Sequence, residues 1–247
     1  MKTLSRLLHK LMGATLVGAL FSFSQIVTAA DLLIVAGGGY KKPMQAVIHD
    51  YQKNSGKAVD ASYGNMRQIL AQAKASGKIA LVVGDEKFLN QTDLFSAYQP
   101  IGKGKLVIAW AKGSPAIKTT KDLTNPEISR IAHPHAKKAI YGRAAIEWLT
   151  SNKLQNPLSE VLMQASTVPQ VSSYLVAREV DAGFINLTDA IGLGDRIGGY
   201  TLLDSGYSPI KIVAGTLKGH ENNLELKAFK AFLQSEQAKT LFTQFGL

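Results

Sequence analysis

Residues 32–53 read LLIVAGGGYKKPMQAVIHDYQK, and this segment sets the class of fold. Residues 32–36 are a short apolar run of strand character, Gly37 to Gly39 form a glycine loop, and from 42 to 53 apolar residues recur at helical spacing. Strand, tight turn and helix in that order make one βα unit. The unit then repeats: 58–62 reads as a strand, 63–65 as a loop, 66–75 as a helix and 79–83 as a strand. Strands alternating with helices of this length predict an α/β fold with a mostly parallel sheet covered on both faces.

The same alternation continues toward the C-terminus. Strands are expected at 105–110, 128–132, 160–165, 182–187 and 210–216, and helices at 136–149 and 169–179. A single long helix is expected over 223–244, where Leu224, Phe229, Phe232, Leu233, Ala238, Leu241 and Phe242 recur near the helical period before Gly246. Trp110 and Trp148 fit core positions of a strand and a helix.

Residues 1–30 read as a cleaved export signal: Lys2, Arg6 and Lys10 precede an apolar run over 11–27, and Val27, Ala29 and Ala30 suit a peptidase. A membrane anchor fits less well, because Gly13, Gly18, Ser22, Ser24 and Gln25 interrupt the apolar run. The expected address is the periplasm. The chain has no cysteine, which rules out disulfides and lipid attachment through an N-terminal Cys. Lysine and arginine outnumber aspartate and glutamate by 28 to 18, and loss of the signal lowers the formal charge from +10 to about +7. Such a chain attracts anions, and a periplasmic address makes nucleic acid the least suitable of them.

Ligands of open parallel sheets sit beyond the carboxyl ends of the strands, where loops enter helix N-termini. The loops at 37–41, 63–66, 133–139 and 166–169 occupy such places, are small and polar, and contain no carboxylate. Unpaired N–H groups and the partial positive charge of a helix start suit such loops to an oxyanion. Gly37 to Gly39 lack both the dinucleotide spacing and the Lys-Ser/Thr of a nucleotide loop, and a plain strand-to-helix turn explains them equally. Asn65 reads as a ligand donor, a helix N-cap, or both. His133 and His135 lack a third metal ligand and read as surface residues. Asp181 and Asp189 read as structural turn and cap residues, and no nucleophile has a histidine partner. No catalytic site, metal site or cofactor is therefore expected.

From residue 32 onward the chain resembles the periplasmic molybdate-binding proteins that feed ABC importers. The likeness is carried by EVDAGFI at 179–185 with Thr188-Asp189-Ala190, by AIYGRAA at 139–145, and by FLQSEQA at 232–238 with Leu241-Phe242 and Phe245-Gly246. The resemblance implies two α/β lobes, 31–108 plus 208–247 and 109–207, with the ligand in the cleft between them. It implies a monomer that captures a small oxyanion of the molybdate or tungstate type and passes it to a permease in the inner membrane. Its implied ligand residues are Gly39, Asn65, Ala139, Val168 and Asn186. Three of these depart from the family, which usually has a serine at the places of Gly39 and Asn65 and often a tyrosine at that of Asn186; the departures at Gly39 and Asn186 matter most, since they remove two donors shaped for a tetrahedral dianion. Asp85 is kept, but Ile79 and Val83 replace the aspartate and serine usual around that strand. Tyr40, Tyr63, Lys41, Arg67 and Lys137 flank the loops as substitute donors. A different small anion, a sensor role and an ester hydrolase are the alternative readings.

Overall fold

The computed structural model describes residues 30–247, so apart from Ala30 the expected export signal lies outside the described residues. The opening unit forms as read. Its apolar run is β1 (Leu32–Gly37), followed by one 3-10 turn at Gly38–Tyr40 and by α1 (Lys41–Ser55). Helix α1 buries Met44, Val47, Ile48 and Tyr51 along one stripe and ends where Gly56 takes a left-handed φ of 70°. Strands β2 (Val59–Gly64) and β3 (Ile79–Asp85) lie on either side of β1 and run parallel to it, with α2 (Met66–Ala75) connecting them.

The chain continues through α3 (Glu86–Leu89), β4 (Phe95–Gly104), β5 (Leu106–Trp110), β6 (Ile131–Pro134) and α4 (Ile140–Ser151). It then forms β7 (Leu162–Ala165), α5 (Val168–Ala177), β8 (Ala182–Asn186), α6 (Leu187–Leu193), β9 (Gly199–Leu203) and β10 (Ile210–Leu217). Helices α7 (Leu224–Leu233) and α8 (Glu236–Gln244) close it. Two five-stranded sheets result, ordered β2-β1-β3-β10-β4 and β7-β6-β8-β5-β9. The chain passes between them at Lys105 and again through residues 204–209. Strand β5 pairs along its whole length within the second sheet, so the first crossing falls ahead of the break expected after 108.

The two-lobe α/β architecture is as expected, but each sheet is mixed rather than mostly parallel. Strand β10 runs antiparallel to β3 and β4, and β5 antiparallel to β8 and β9. The strands missing from the sequence reading, β4 and β9, are both edges. Strand β4 (FSAYQPIGKG) carries Pro100 and two glycines, which an edge tolerates and a central strand does not.

The single helix expected over 223–244 is two. Ser235 accepts a hydrogen bond from the Ala238 N–H at 3.2 Å and starts α8 afresh, so both short helices can fold back onto α1. Tyr51 of α1 meets Phe229 and Phe232 at ring separations of 5.1 and 5.3 Å. The helix expected from 136 begins at Ile140, because the N–H groups of Lys138 and Ala139 both turn back to the His135 carbonyl. His133, expected at the surface, is buried in β6, with Nδ1–H donating to the Pro134 carbonyl at 2.8 Å.

Candidate functional site

The two sheets point the starts of their helices at each other across a small cavity. Its walls are the 3-10 turn at Gly38–Tyr40, Gly64 to Met66 at the start of α2, Ala139 to Tyr141 at the start of α4, and Thr167 with Val168 at the start of α5. The room inside, about 20 Å³ where the centre of a water-sized group can sit, takes only a ligand of few atoms. Among the described residues no charged side chain lines it. The N–H groups of Met66, Ile140, Tyr141 and Val168 have no acceptor among the described residues. Helix starts of this kind attract negative charge.

Asn65 is the residue that makes one wall. Its Oδ1 accepts from the Gln68 N–H at 3.0 Å while the Gln68 side chain accepts from the Asn65 N–H at 2.9 Å. This reciprocal cap fixes where α2 begins. The cap engages the Asn65 carbonyl oxygen, and its amide N–H₂ is free to donate. Thr167 caps α5 by accepting from Gln170 at 3.3 Å, and Pro169 in the first turn needs no hydrogen bond there.

Of the five residues singled out by resemblance, Gly39, Asn65, Ala139 and Val168 line the cavity. Ala139 does so without a free donor, because its N–H is bonded to the His135 carbonyl at 2.9 Å; the unpaired donors are the next two, Ile140 and Tyr141. Asn186 lies behind the wall, fully buried, and its amide donates to the Gly39 carbonyl at 2.7 Å. Among the flanking residues considered as donors, Lys41, Arg67 and Lys137 are exposed and Tyr63 is half-buried, and none of the four lines the cavity.

Tyr40 does line it, but its hydroxyl is taken up by that of Tyr141, 2.6 Å away. Burial raises the pKa of both phenols well above the usual value, so both remain protonated. The sequence reading passed over Tyr141 and Arg143, although both lie within the motif at 139–145. Their side chains matter through partners more than 50 residues away. Arg143 Nη2 is 2.6 Å from Asp85 Oδ2, and Lys42 Nζ is 3.1 Å from Asp189 Oδ1. Ser172 also donates to Asp189, so this carboxylate is held by structural partners, but within the first turn of α6 and not at the cap expected of it. Asp181 likewise is structural, accepting from the backbone of Ser129 and Arg130 at 2.8 and 2.9 Å.

Two α/β lobes joined by two crossings, with a small neutral cleft walled by helix starts, define a solute-binding protein of the two-lobe type. The chain belongs to the bacterial extracellular solute-binding proteins, whose family model matches residues 32–247. This is a family of binding proteins, and the chain is not an enzyme. A Haemophilus influenzae protein described no further than as a binding protein is 29% identical over 229 residues, 89% of this chain and 91% of that one. The periplasmic molybdate-binding protein of Azotobacter vinelandii superposes with a TM-score of 0.80 at 22% identity, covering 87% of this chain and 97% of its own. L-phospholactate-bound PEB3, of a Campylobacter jejuni protein, superposes at 0.71 and 18% identity over 87% of this chain and 98% of that one. Beside the molybdate-binding proteins the chain stands as a divergent relative.

Proposed function

We propose that this protein captures a small oxyanion, molybdate or tungstate in type, in the cleft and delivers it to an ABC permease. The reading includes export to the periplasm behind a signal at 1–30, and action as a monomer. One observation carries it: the unpaired N–H groups at three helix starts converge on one small cavity with no charged side chain in its wall. Backbone donors hold an oxyanion without the carboxylate attraction that a lysine or arginine would add. Gly39, Asn65, Ala139, Val168 and Asn186 form the proposed site, with Ile140 and Tyr141 supplying the donors that Ala139 lacks.

A second reading, another small anion, is favoured by Gly39 and Asn186. Glycine offers no hydroxyl, and the Asn186 amide is engaged by the Gly39 carbonyl. A lost hydrogen bond to a charged ligand costs about 1.5–3 kcal/mol. Isothermal calorimetry with molybdate, tungstate, sulfate and phosphate tests both readings. Binding of at least one is expected, with Asn65→Ala weakening it by about tenfold or more, equal to the loss of one charge-assisted donor. If none of the four binds, oxyanion capture is wrong.

A further inference from the structure

Among the described residues, four polar contacts join the lobes around the cavity, all made by the chain's own groups. Asn186 donates to Gly39, Tyr40 meets Tyr141, Lys42 pairs with Asp189, and Arg143 pairs with Asp85. The last is the more enclosed of the two charge pairs, with side-chain exposures of 14% and 1%. The guanidinium N–H bonds do not align with the carboxylate, so the attraction is one of charge more than of a directed bond.

Both partners are anchored. Asp85 ends β3 in the first lobe and caps α3, accepting from the Lys87 N–H at 3.2 Å. Arg143 sits in the first turn of α4, whose leading N–H groups face the cavity, and its Nε is 3.5 Å from Glu147 Oε1. Glu147 in turn accepts from the Ser208 N–H at 2.7 Å, and Ser208 belongs to the second crossing between the lobes. One run of polar contacts therefore connects β3, α4 and the crossing segment.

We propose that Asp85 and Arg143 are positioning residues for ligand capture. Their ion pair seats the start of α4 over the donors of the first lobe, and Glu147 ties that seat to the crossing, so closure is favoured before ligand contacts are complete. The proposal rests on the oxyanion reading for what is captured but not for the closure itself. A ligand closes a cleft only through contacts it gains on closing, and its apparent affinity scales with the closed fraction. Where the Tyr40, Tyr141 and Asn186 donors are already engaged, contacts within the protein supply the bias toward closure.

The experiment combines small-angle scattering with stopped-flow release of molybdate for the wild type, Asp85→Asn, Arg143→Gln and Arg143→Lys. Wild-type protein is expected to show nearly the same radius of gyration with and without molybdate. Asp85→Asn and Arg143→Gln should enlarge the ligand-free radius and speed release about 10- to 100-fold, with association changed less, because the remaining charge loses its buried partner. Arg143→Lys keeps the charge and should stay near wild type. A merely structural role would lower Tm without moving radius or release. Unchanged radius and release in both charge-removing variants would overturn the proposal, as would a wild type that is expanded without molybdate. Should those two variants fail to fold, Glu147→Gln is read in their place, with an enlarged ligand-free radius expected and an unchanged one counting against the proposal. If wild-type protein binds no molybdate, the ligand-free scattering still decides the role of the pair, and only molybdate as the ligand is lost.

Discussion

Gly39 and Asn186 are complementary. A Cβ added at Gly39 would stand 3.2 Å from Asn186 Nδ2 and 3.3 Å from its Oδ1, tighter than side chains normally allow. A serine at 39 would require the Asn186 amide to give way by a few tenths of an ångström, so these two departures from the molybdate-binding pattern are coupled. Each was visible in the sequence, and their contact was not, because 147 residues separate them. His133 shows the same limit. Its burial lowers the imidazole pKa, with the Pro134 carbonyl opposing that shift and His135 adding to it. The unfolded chain takes up a proton near the ordinary value of 6.5, whereas the folded protein resists until the pH is lower. Stability from the neutral ring is complete above the unfolded pKa and is lost as pH falls through the folded one. The Tm of His133→Gln should therefore decline less steeply than that of wild type between pH 7 and 5, as checked by thermal denaturation across about that range.

Helix α4 shows how an element is placed by contact against its own propensity. Gly142 lies in its first turn, where alanine would ordinarily gain about 1 kcal/mol of helix stability. A Cβ there would run into the carbonyl oxygens of Pro134 and His135, which are backbone atoms and cannot swing aside. Overpacking of this kind costs about 1–3 kcal/mol. Gly142→Ala should accordingly destabilise the protein by about 1 kcal/mol or more in denaturant titration, opposite in sign to the propensity, and weaken oxyanion binding by displacing the α4 donors. The elements that sequence made legible, β1, α1, α2 and β3, have strong periodicity or a local cap. Edge strands β4 and β9 were missed because hydrogen bonds to one distant neighbour hold them, and the α7–α8 break because a lone serine interrupts a continuous apolar stripe.

At the scale of the molecule, closure runs through the crossings. Gly104 ends β4 just before the first crossing, and a Cβ there would strike the Tyr141 hydroxyl and stand 3.0 Å from that of Tyr40 and 2.7 Å from Ile210 Cγ2. Gly104→Ala is expected to part the tyrosine pair, enlarge the radius of gyration in scattering, and weaken oxyanion binding about tenfold, as for a closed state made less populated. The α/β class, the basic charge, the lack of cysteine and the loops that lead into the cleft were readable from the sequence, because composition and patterns within a few positions carry them, whereas the start of α4 was set by the His135 carbonyl. Which donors are unpaired, which carboxylate faces which guanidinium, and how the lobes meet depended on the folded chain. Those contacts join residues 58 to 147 positions apart, and no local pattern encodes a distance that only packing sets.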